Sequence, residues 1–435
     1  MSKRNEILAL IKDFYNEEHK EEKFIPGKTP ILTGGRYFNE VEIYNLVDAS
    51  LDFWLTEGRY TKEFKEGFSE YVGIKHTIPV NSGSSANLVA LSSLFSDSLG
   101  DTKINKGDEI ITAASGFPTT VNPIIQNGAI PVYIDCELGT YNINPNSLEE
   151  ALSEKTKAVM IAHTLGNPFD LDQVMKFCNE NNLFLIEDCA DALGSKYADQ
   201  HVGTFGEFGT CSFFPAHHIT TGEGGMVFTK NGKLKKIAES YRDWGRDCWC
   251  IPGESNTCNR RYDWQLGNLP YGYDHKYIYS HIGYNLKITD LQSAIGVAQL
   301  EKIDEFVLSR NKNWDYLNDR LKNLEEFFIF PAKLKKSEPS WFGFPLTIRD
   351  GAPFNRPDLI SELDAKNIGS RFLFGGNLLW QPAYNNVPHR EVGNLSNSDK
   401  IALDTFWLGV FPGLTKEMLD FTIETIQNFV ISKTK

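Results

Sequence analysis

The stretch CSFFPAHHITTGEGGMVFT, Cys211–Thr229, decides the reading of this chain. Its tail, Gly225–Thr229, has the length and composition of a short strand. Taken alone, the adjacent pair His217 and His218 reads as a polar turn. The flanks, Ser-Phe-x-Pro before the pair and Gly-Glu-Gly-Gly after it, are more specific than any turn requires.

Working outward, residues 60 to 230 repeat one alternation of a short β-branched run, a turn and a helical stretch. The runs are His76–Val80, Glu109–Thr112, Pro131–Ile134, Ala158–Ala162, Phe184–Glu187 and, after a less regular stretch, Gly225–Thr229. Between them, Ala86–Phe95 and Leu171–Glu180 carry helical periodicity. Such alternation predicts an α/β fold with a large, mostly parallel sheet, whose ligands gather at the carboxyl ends of the strands. Residues 240–282 are rich in Trp, Tyr and Cys, and read as an inserted loop, an ordered lid or a metal-binding excursion. From Thr289 the pattern turns helical, and a strand-bearing part follows that includes Phe342–Ile348 and Leu419–Val430. The expected division is therefore a large domain over residues 1–300, which includes an N-terminal helix, and a smaller α/β domain over 301–435, with the N-terminal helix packed near the smaller unit.

Composition removes several classes of function. Apolar residues at 41% and charged residues at 23% of 435 describe an ordinary globular chain with room for a large core. Seven cysteines, an odd and small number, argue against a disulfide-stapled secreted scaffold. The net charge of −13 argues against general nucleic-acid binding and against docking on an anionic membrane. The N-terminal stretch is an amphipathic charged helix without the apolar run of a signal peptide, and no stretch is apolar enough for a membrane span. A soluble cytoplasmic protein is expected.

Two further motifs carry chemistry. In Asn81–Asn87, NSGSSAN, Gly83 permits a tight turn, and Ser84, Ser85 and the free amides of a helix start suit a phosphate. An unliganded Ser-rich cap is the plainer alternative. In Phe184–Ser195, Asp188 ends a buried strand, where an isolated carboxylate is costly. A protonated pyridine nitrogen would pair with it; a helix cap is the alternative.

The segment Cys211–Thr229 resembles the one that carries the Schiff-base lysine in pyridoxal-phosphate sugar aminotransferases, of the form S-F-x-P-x-K-x-I-T-x-G-E-G-G, with His217 in the lysine position. The resemblance runs from Thr33–Gly35 through Gly283–Leu300 into the C-terminal part. It implies the aspartate-aminotransferase fold (fold type I), a homodimer, and a cofactor between subunits. It further implies that Ser84, Ser85 and Ser212 hold the cofactor phosphate, reached by Asn285 from the other subunit. Phe117 would stack on the pyridine ring, Asp188 would pair with its nitrogen, and Asp191 would lie near its hydroxyl.

Imidazole cannot form a stable imine with the cofactor aldehyde, so lysine-cycled transamination is lost, while proton transfer near neutral pH remains. Such a site suits pyridoxamine phosphate (PMP) and a ketone supplied by the substrate. The expected enzyme removes the 3-hydroxyl of a nucleotide-linked 4-keto-6-deoxyhexose, with His217 as base. Two dehydratase types resemble this variant. The GDP-4-keto-6-deoxymannose type lacks an iron–sulfur centre and is regenerated by glutamate. The CDP-4-keto-6-deoxyglucose type, of 3,6-dideoxysugar and O-antigen (lipopolysaccharide) synthesis, carries a [2Fe-2S] cluster and takes electrons from an NADH-dependent flavin and iron–sulfur reductase.

The spacing Cys248-Trp-Cys250-x₇-Cys258 resembles the second type. A [2Fe-2S] cluster needs four thiolates, and the resemblance nominates Cys189, with Cys211 as fallback. One departure stands out: 58 residues lie between Cys189 and Cys248 where the family pattern has 57, and Ala190 occupies the expected position. A one-residue shift on an extended strand reverses side-chain direction. Free thiols in a loop, or zinc, are the alternatives for the triplet. Arg371 and the amides around Gly375–Asn377 are candidates for a diphosphate, against a plain Gly-rich turn. A catalytically retired aminotransferase fold acting as a regulator is the reading from outside enzymology.

Overall fold

The computed structural model describes residues 2–19, 23–250 and 253–434. Its centre is an eight-stranded sheet in the order His76–Val80, Gly225–Thr229, Phe208–Ser212, Phe184–Asp188, Thr156–Ala162, Glu109–Ala113, Ile130–Ile134, Arg390–Glu391. Only Gly225–Thr229 runs antiparallel to its neighbours.

Successive residues of these strands enter opposite cores. Ile111, Val159, Leu185 and Phe228 join the core that contains Phe64 and Phe68 of helix Arg59–Val72. Ile110, Ala158, Met160, Ile186 and Val227 join the one that contains Ala86, Val89 and Ala90 of helix Gly83–Ser93. The period of two and burial on both faces explain why the strands read as continuous apolar runs rather than alternating ones. The expected runs all appear as strands. The strand Phe208–Ser212 lay in the less regular stretch, because two glycine- and threonine-rich turns surround it.

A second, antiparallel sheet has the order Phe328–Ile329, Gly343–Ile348, Thr405–Gly409, Ser370–Phe372. Helices Ile303–Leu321, Arg356–Ala365 and Lys416–Lys433 supply its core. The segment Leu419–Val430, expected to bear a strand, lies inside the last of these helices. Its buried residues Leu419, Ile423, Ile426 and Val430 recur at three to four positions, the helical period.

The chain passes between the two sheets more than once. Ile31 pairs with Ile368 and sits in the smaller core. Arg390–Glu391 returns to edge the large sheet, where Arg390 Nη2 donates to Glu109 at 2.7 Å. Helix Ile303–Leu321 gives Ile303 and Phe306 to the large core but Trp314, Leu317 and Leu321 to the smaller one. The N-terminal helix Lys3–Glu18 packs on helix Glu40–Asp52 rather than beside the smaller sheet, because Arg4 donates to Asp48 and Asp52 at 2.7 Å each. Among the described residues, no helix is long and apolar enough to cross a membrane.

Asp243 pairs through its backbone with Asn285, and Arg246 with Tyr279, which closes a neck at the two ends of the expected excursion. At Gly245, φ is +80° and a Cβ would lie 1.8 Å from the His281 carbonyl, so only glycine fits this closure.

Candidate active site

The carboxyl ends of the parallel strands and the start of Gly225–Thr229 converge on a cleft of about 400 Å³. Ser82, Gly83, Ser84, Phe117, Asp188, Asp191, Ser212, His217 and Phe342 all border it. It lies where ligands collect in open α/β sheets.

At one end, Ser82 caps helix Gly83–Ser93 by accepting the Ser85 N–H at 3.1 Å. Gly83 passes so close over Ser212 that a Cβ would lie 2.4 Å from the Ser212 Cβ. Ser84 and Ser212 face the cleft; Ser85 does not border it, and its hydroxyl accepts from Ser82 at 2.9 Å. The Ser212 hydroxyl accepts from the Phe214 N–H at 3.4 Å and keeps its own proton to donate, and a helix N-terminus with two serine hydroxyls beside it is a cup for an anion.

Asp188 is 4% exposed at the end of its strand. Asn87 Nδ2 and the Thr120 hydroxyl each donate to Oδ2 at 2.7 Å, and the Ala190 N–H donates to Oδ1 at 3.0 Å. Asn87 is itself fixed by the Thr210 hydroxyl at 2.6 Å. All three donors to the carboxylate are neutral, so its charge is left for a cationic group in the cleft. Asn87 lies inside NSGSSAN and Thr120 three residues after Phe117, but nothing in their spacing marks them as partners of Asp188, 101 and 68 positions away.

The two adjacent histidines separate cleanly. His218 is 2% exposed, donates from Nε2 to the Ser340 carbonyl at 2.9 Å, and is held neutral because burial pushes its pKa well below the ordinary value. His217 borders the cleft, stacked on Phe342 at 5.3 Å between ring centres. Its Nδ1 stands 3.4 Å from Asp191 Oδ1, a close approach without the alignment of a formed hydrogen bond. Burial pushes the Asp191 carboxyl upward, partly offset by His217. Asp191 was expected near a ring hydroxyl; here it faces the histidine. Behind them, buried Arg310 donates to the carbonyls of His217 at 3.1 Å and Phe342 at 3.4 Å, and burial lowers its pKa to about 10. Neither Arg310 nor Phe342 carried a sequence signal. Gly34, of the segment Thr33–Gly35, lies against Ala216 beside this pair.

Phe117 is half exposed at the cleft, edge-on to Phe374 at 6.0 Å, as a ring available for stacking. Asn285 is exposed on the neck of the excursion and does not border this chain's own cleft. The diphosphate reading of the Gly375 loop is corrected in part. The N–H groups of Gly375 and Gly376 already donate to Gly116 and Leu373 carbonyls, and the Asn377 side chain is engaged by Asp399 and Leu379. Arg371 is exposed and, among the described residues, donates only to its neighbour's carbonyl at 2.8 Å.

The cysteines fall into two groups. Cys248, Cys250 and Cys258 border one small cleft with Asn256, Arg261, His275 and Lys276. The Thr257 hydroxyl donates to Cys250 Sγ at 3.1 Å, which helps draw that thiol down to about 7. Cys189 lies elsewhere, 1% exposed in the large core with Cys211. Its Sγ contacts the Glu187 carbonyl at 3.6 Å, and burial pushes both core thiols upward. Among the described residues, no three His, Cys, Asp or Glu side chains stand in the arrangement of a formed metal centre.

With this geometry in place, the likeness to known proteins is specific. The chain is 52% identical over 426 residues to the lipopolysaccharide biosynthesis protein RfbH of Salmonella typhimurium, covering 98% of both chains. It is 49% identical to a dTDP-4-dehydro-2,6-dideoxy-D-glucose 3-dehydratase of Saccharopolyspora spinosa, covering 98% of this chain and 92% of that one. Among solved structures, it superposes with a TM-score of 0.82 on an E. coli GDP-4-keto-6-deoxy-D-mannose-3-dehydratase with bound hydrated PLP, at 26% identity, over 91% of this chain and 99% of that one. The fold is thus that of the PLP-dependent aminotransferases. A family model covers residues 38–427, and the chain belongs to the DegT/DnrJ/EryC1/StrS aminotransferase family.

Proposed function

We propose that the protein is a PMP-dependent dehydratase that removes the 3-hydroxyl of a nucleotide-linked 4-keto-6-deoxyhexose, in the synthesis of a deoxysugar for lipopolysaccharide or a similar product. The observation that carries this reading is His217 in the lysine position of an aminotransferase cleft, bordering the cavity and backed by Asp191.

The residues present suit the cofactor. The cup at Gly83, Ser84 and Ser212 accepts a phosphate, Phe117 offers a stacking face, and Asp188 offers an uncompensated carboxylate. When bound, PMP supplies a primary amine and an electron-accepting ring. His217 has Nδ1 toward Asp191, which leaves Nε2 to take a proton within the cleft and return it to a leaving hydroxyl. Asp191 then stabilises the imidazolium, and stacking on Phe342 limits rotation of the ring. Buried Arg310 anchors the His217 backbone.

A homodimer is part of this reading. Asn285 is exposed, and Ile282, three residues away, is 96% exposed, an apolar side chain of the kind a second copy would cover. The CDP nucleotide and the reductase partner follow from the resemblance alone. By residue type and spacing the triplet Cys248, Cys250 and Cys258 would suit a [2Fe-2S] cluster that passes single electrons from an NADH-dependent flavin and iron–sulfur reductase, but its side chains do not stand in the arrangement of a formed metal centre and Cys189 does not suit the fourth position. That misfit also favours a second reading, the cluster-free dehydratase regenerated by glutamate.

Incubation of PMP-loaded protein with CDP-, dTDP- and GDP-linked 4-keto-6-deoxyhexoses tests the proposal. One substrate should yield a sugar lacking the 3-hydroxyl. A 4-amino sugar as the main product from all of them would overturn the proposal. Turnover sustained by glutamate without a reductase selects the second reading.

A further inference from the structure

Arg310 is 2% exposed, midway along helix Ile303–Leu321, between Phe306 in the large core and Trp314 in the smaller one. Its Nη2 donates to the His217 carbonyl at 3.1 Å and its Nη1 to the Phe342 carbonyl at 3.4 Å, while its Nε has no partner. Both acceptors are neutral, and the carboxylate that acts on its charge, Asp191, does so through space. A buried cation without a paired carboxylate is costly, so packing alone would be served better by an apolar side chain of similar volume.

The two carbonyls belong to residues whose rings stack on each other, at 5.3 Å between centres and 29° between planes. His217 lies in the turn between strands Phe208–Ser212 and Gly225–Thr229 of the large sheet, and Phe342 stands just before strand Gly343–Ile348 of the smaller one. One planar fork of donors therefore ties the proposed base and its stacking partner together across the junction of the two sheets.

The Phe342 side of this tie is fixed by other contacts as well. Asn311, the next residue of the helix, donates to the Pro339 carbonyl at 2.9 Å and accepts from the Trp341 N–H at 3.3 Å. The Ser340 N–H donates to the Ser195 hydroxyl at 2.8 Å, the Ser340 carbonyl accepts from His218, and the Phe342 N–H donates to the Leu165 carbonyl at 2.9 Å. The His217 side is not fixed in this way. Its N–H donates to the Phe214 carbonyl at 2.9 Å, inside its own turn, and its Nδ1 makes no formed hydrogen bond. Among the described residues, Arg310 alone donates to its carbonyl.

We propose that Arg310 is a positioning residue for His217: by holding the His217 and Phe342 carbonyls at once, it sets the imidazole in register on the Phe342 ring and so aims it into the cleft. The inference rests on the reading of His217 as the base. It assigns Arg310 no contact with substrate or cofactor; its effect passes through the imidazole.

Two measurements test it. In apoprotein carrying histidine labelled with ¹³C at Cε1, the His217 resonance is the one absent from His217→Asn. It should be single in wild type and displaced or doubled in Arg310→Met. In PMP-loaded protein turning over its nucleotide sugar, Arg310→Met should lower kcat roughly 10- to 100-fold, with KM and PMP affinity each within about 3-fold of wild type. Arg310→Lys, which keeps a charged donor but not the fork, should recover part of kcat. In His217→Asn, Arg310→Met should add no further loss, because the two residues act as a unit. Should Arg310→Met fail to bind PMP, Arg310→Lys decides, a lowered kcat with a displaced resonance supporting the role and wild-type values overturning it. An unchanged His217 resonance in Arg310→Met, or an equal loss with and without His217, overturns the role of Arg310 and leaves His217 standing as base. Wild-type turnover by His217→Asn overturns both.

Discussion

Asp191 Oδ1 stands 3.4 Å from His217 Nδ1, and this pair separates the chain from a lysine-dependent aminotransferase. Burial raises the Asp191 carboxyl, so it protonates at a higher pH than an ordinary carboxylate. Only its ionised form stabilises a protonated His217. Turnover should therefore fall as pH drops through that raised value, and Asp191→Asn should both slow kcat by roughly 10-fold or more and remove this acid limb. A kcat–pH profile checks it; an acid limb unchanged in Asp191→Asn would assign the limb to another group.

Asp188 supplies a charge that its neutral partners do not match. Asp188→Asn should weaken PMP binding by roughly 10- to 100-fold, from the ~1.5–3 kcal/mol of a charged hydrogen bond. The apoprotein should melt no lower than wild type, because a buried carboxylate without a cation is itself costly. Absorbance titration with PMP and thermal melts of the apoprotein measure the two effects.

Gly83 is fixed by contact rather than by backbone conformation. Gly83→Ala would press its Cβ to 2.4 Å from the Ser212 Cβ and push the helix start away from the cup. Phosphate-dependent binding of PMP should be lost relative to pyridoxamine without phosphate. Gly83→Ala combined with Ser212→Gly should recover part of it, and failure of the pair to do better than Gly83→Ala would remove the steric account.

His201 is largely buried beside Tyr71, and burial lowers its pKa from 6.5 to about 4. The unfolded chain thus binds a proton that the folded chain refuses. Stability from this site is complete above about 6.5 and is lost as pH falls toward 4. His201→Gln should flatten the decline in Tm between pH 7 and 4.5, measured by thermal melts across that window.

Much of this was legible in the sequence because local pattern and tertiary role coincide. The buried strands announce themselves as β-branched runs, and the glycine and serine of Asn81–Asn87 are dictated by a turn that the cup requires. The segment Leu419–Val430 was misread because a short apolar run has no visible period until its length is known. Asn87, Thr120 and Arg310 escaped because their importance comes from partners 101, 68 and 93 residues away. The cysteine triplet is legible from its spacing, and the packed loop brings its members to one small cleft.

The central claim is that His217 replaces lysine as the group that moves a proton at the cofactor. PMP-loaded protein, mixed with the turnover-competent nucleotide sugar in deuterated water, measures this directly through deuterium in the methylene group of recovered PMP. Wild-type protein should incorporate one deuterium at a single methylene position, and His217→Asn should slow incorporation by roughly 10²- to 10⁴-fold while still binding PMP. Incorporation at the wild-type rate in His217→Asn would contradict the account.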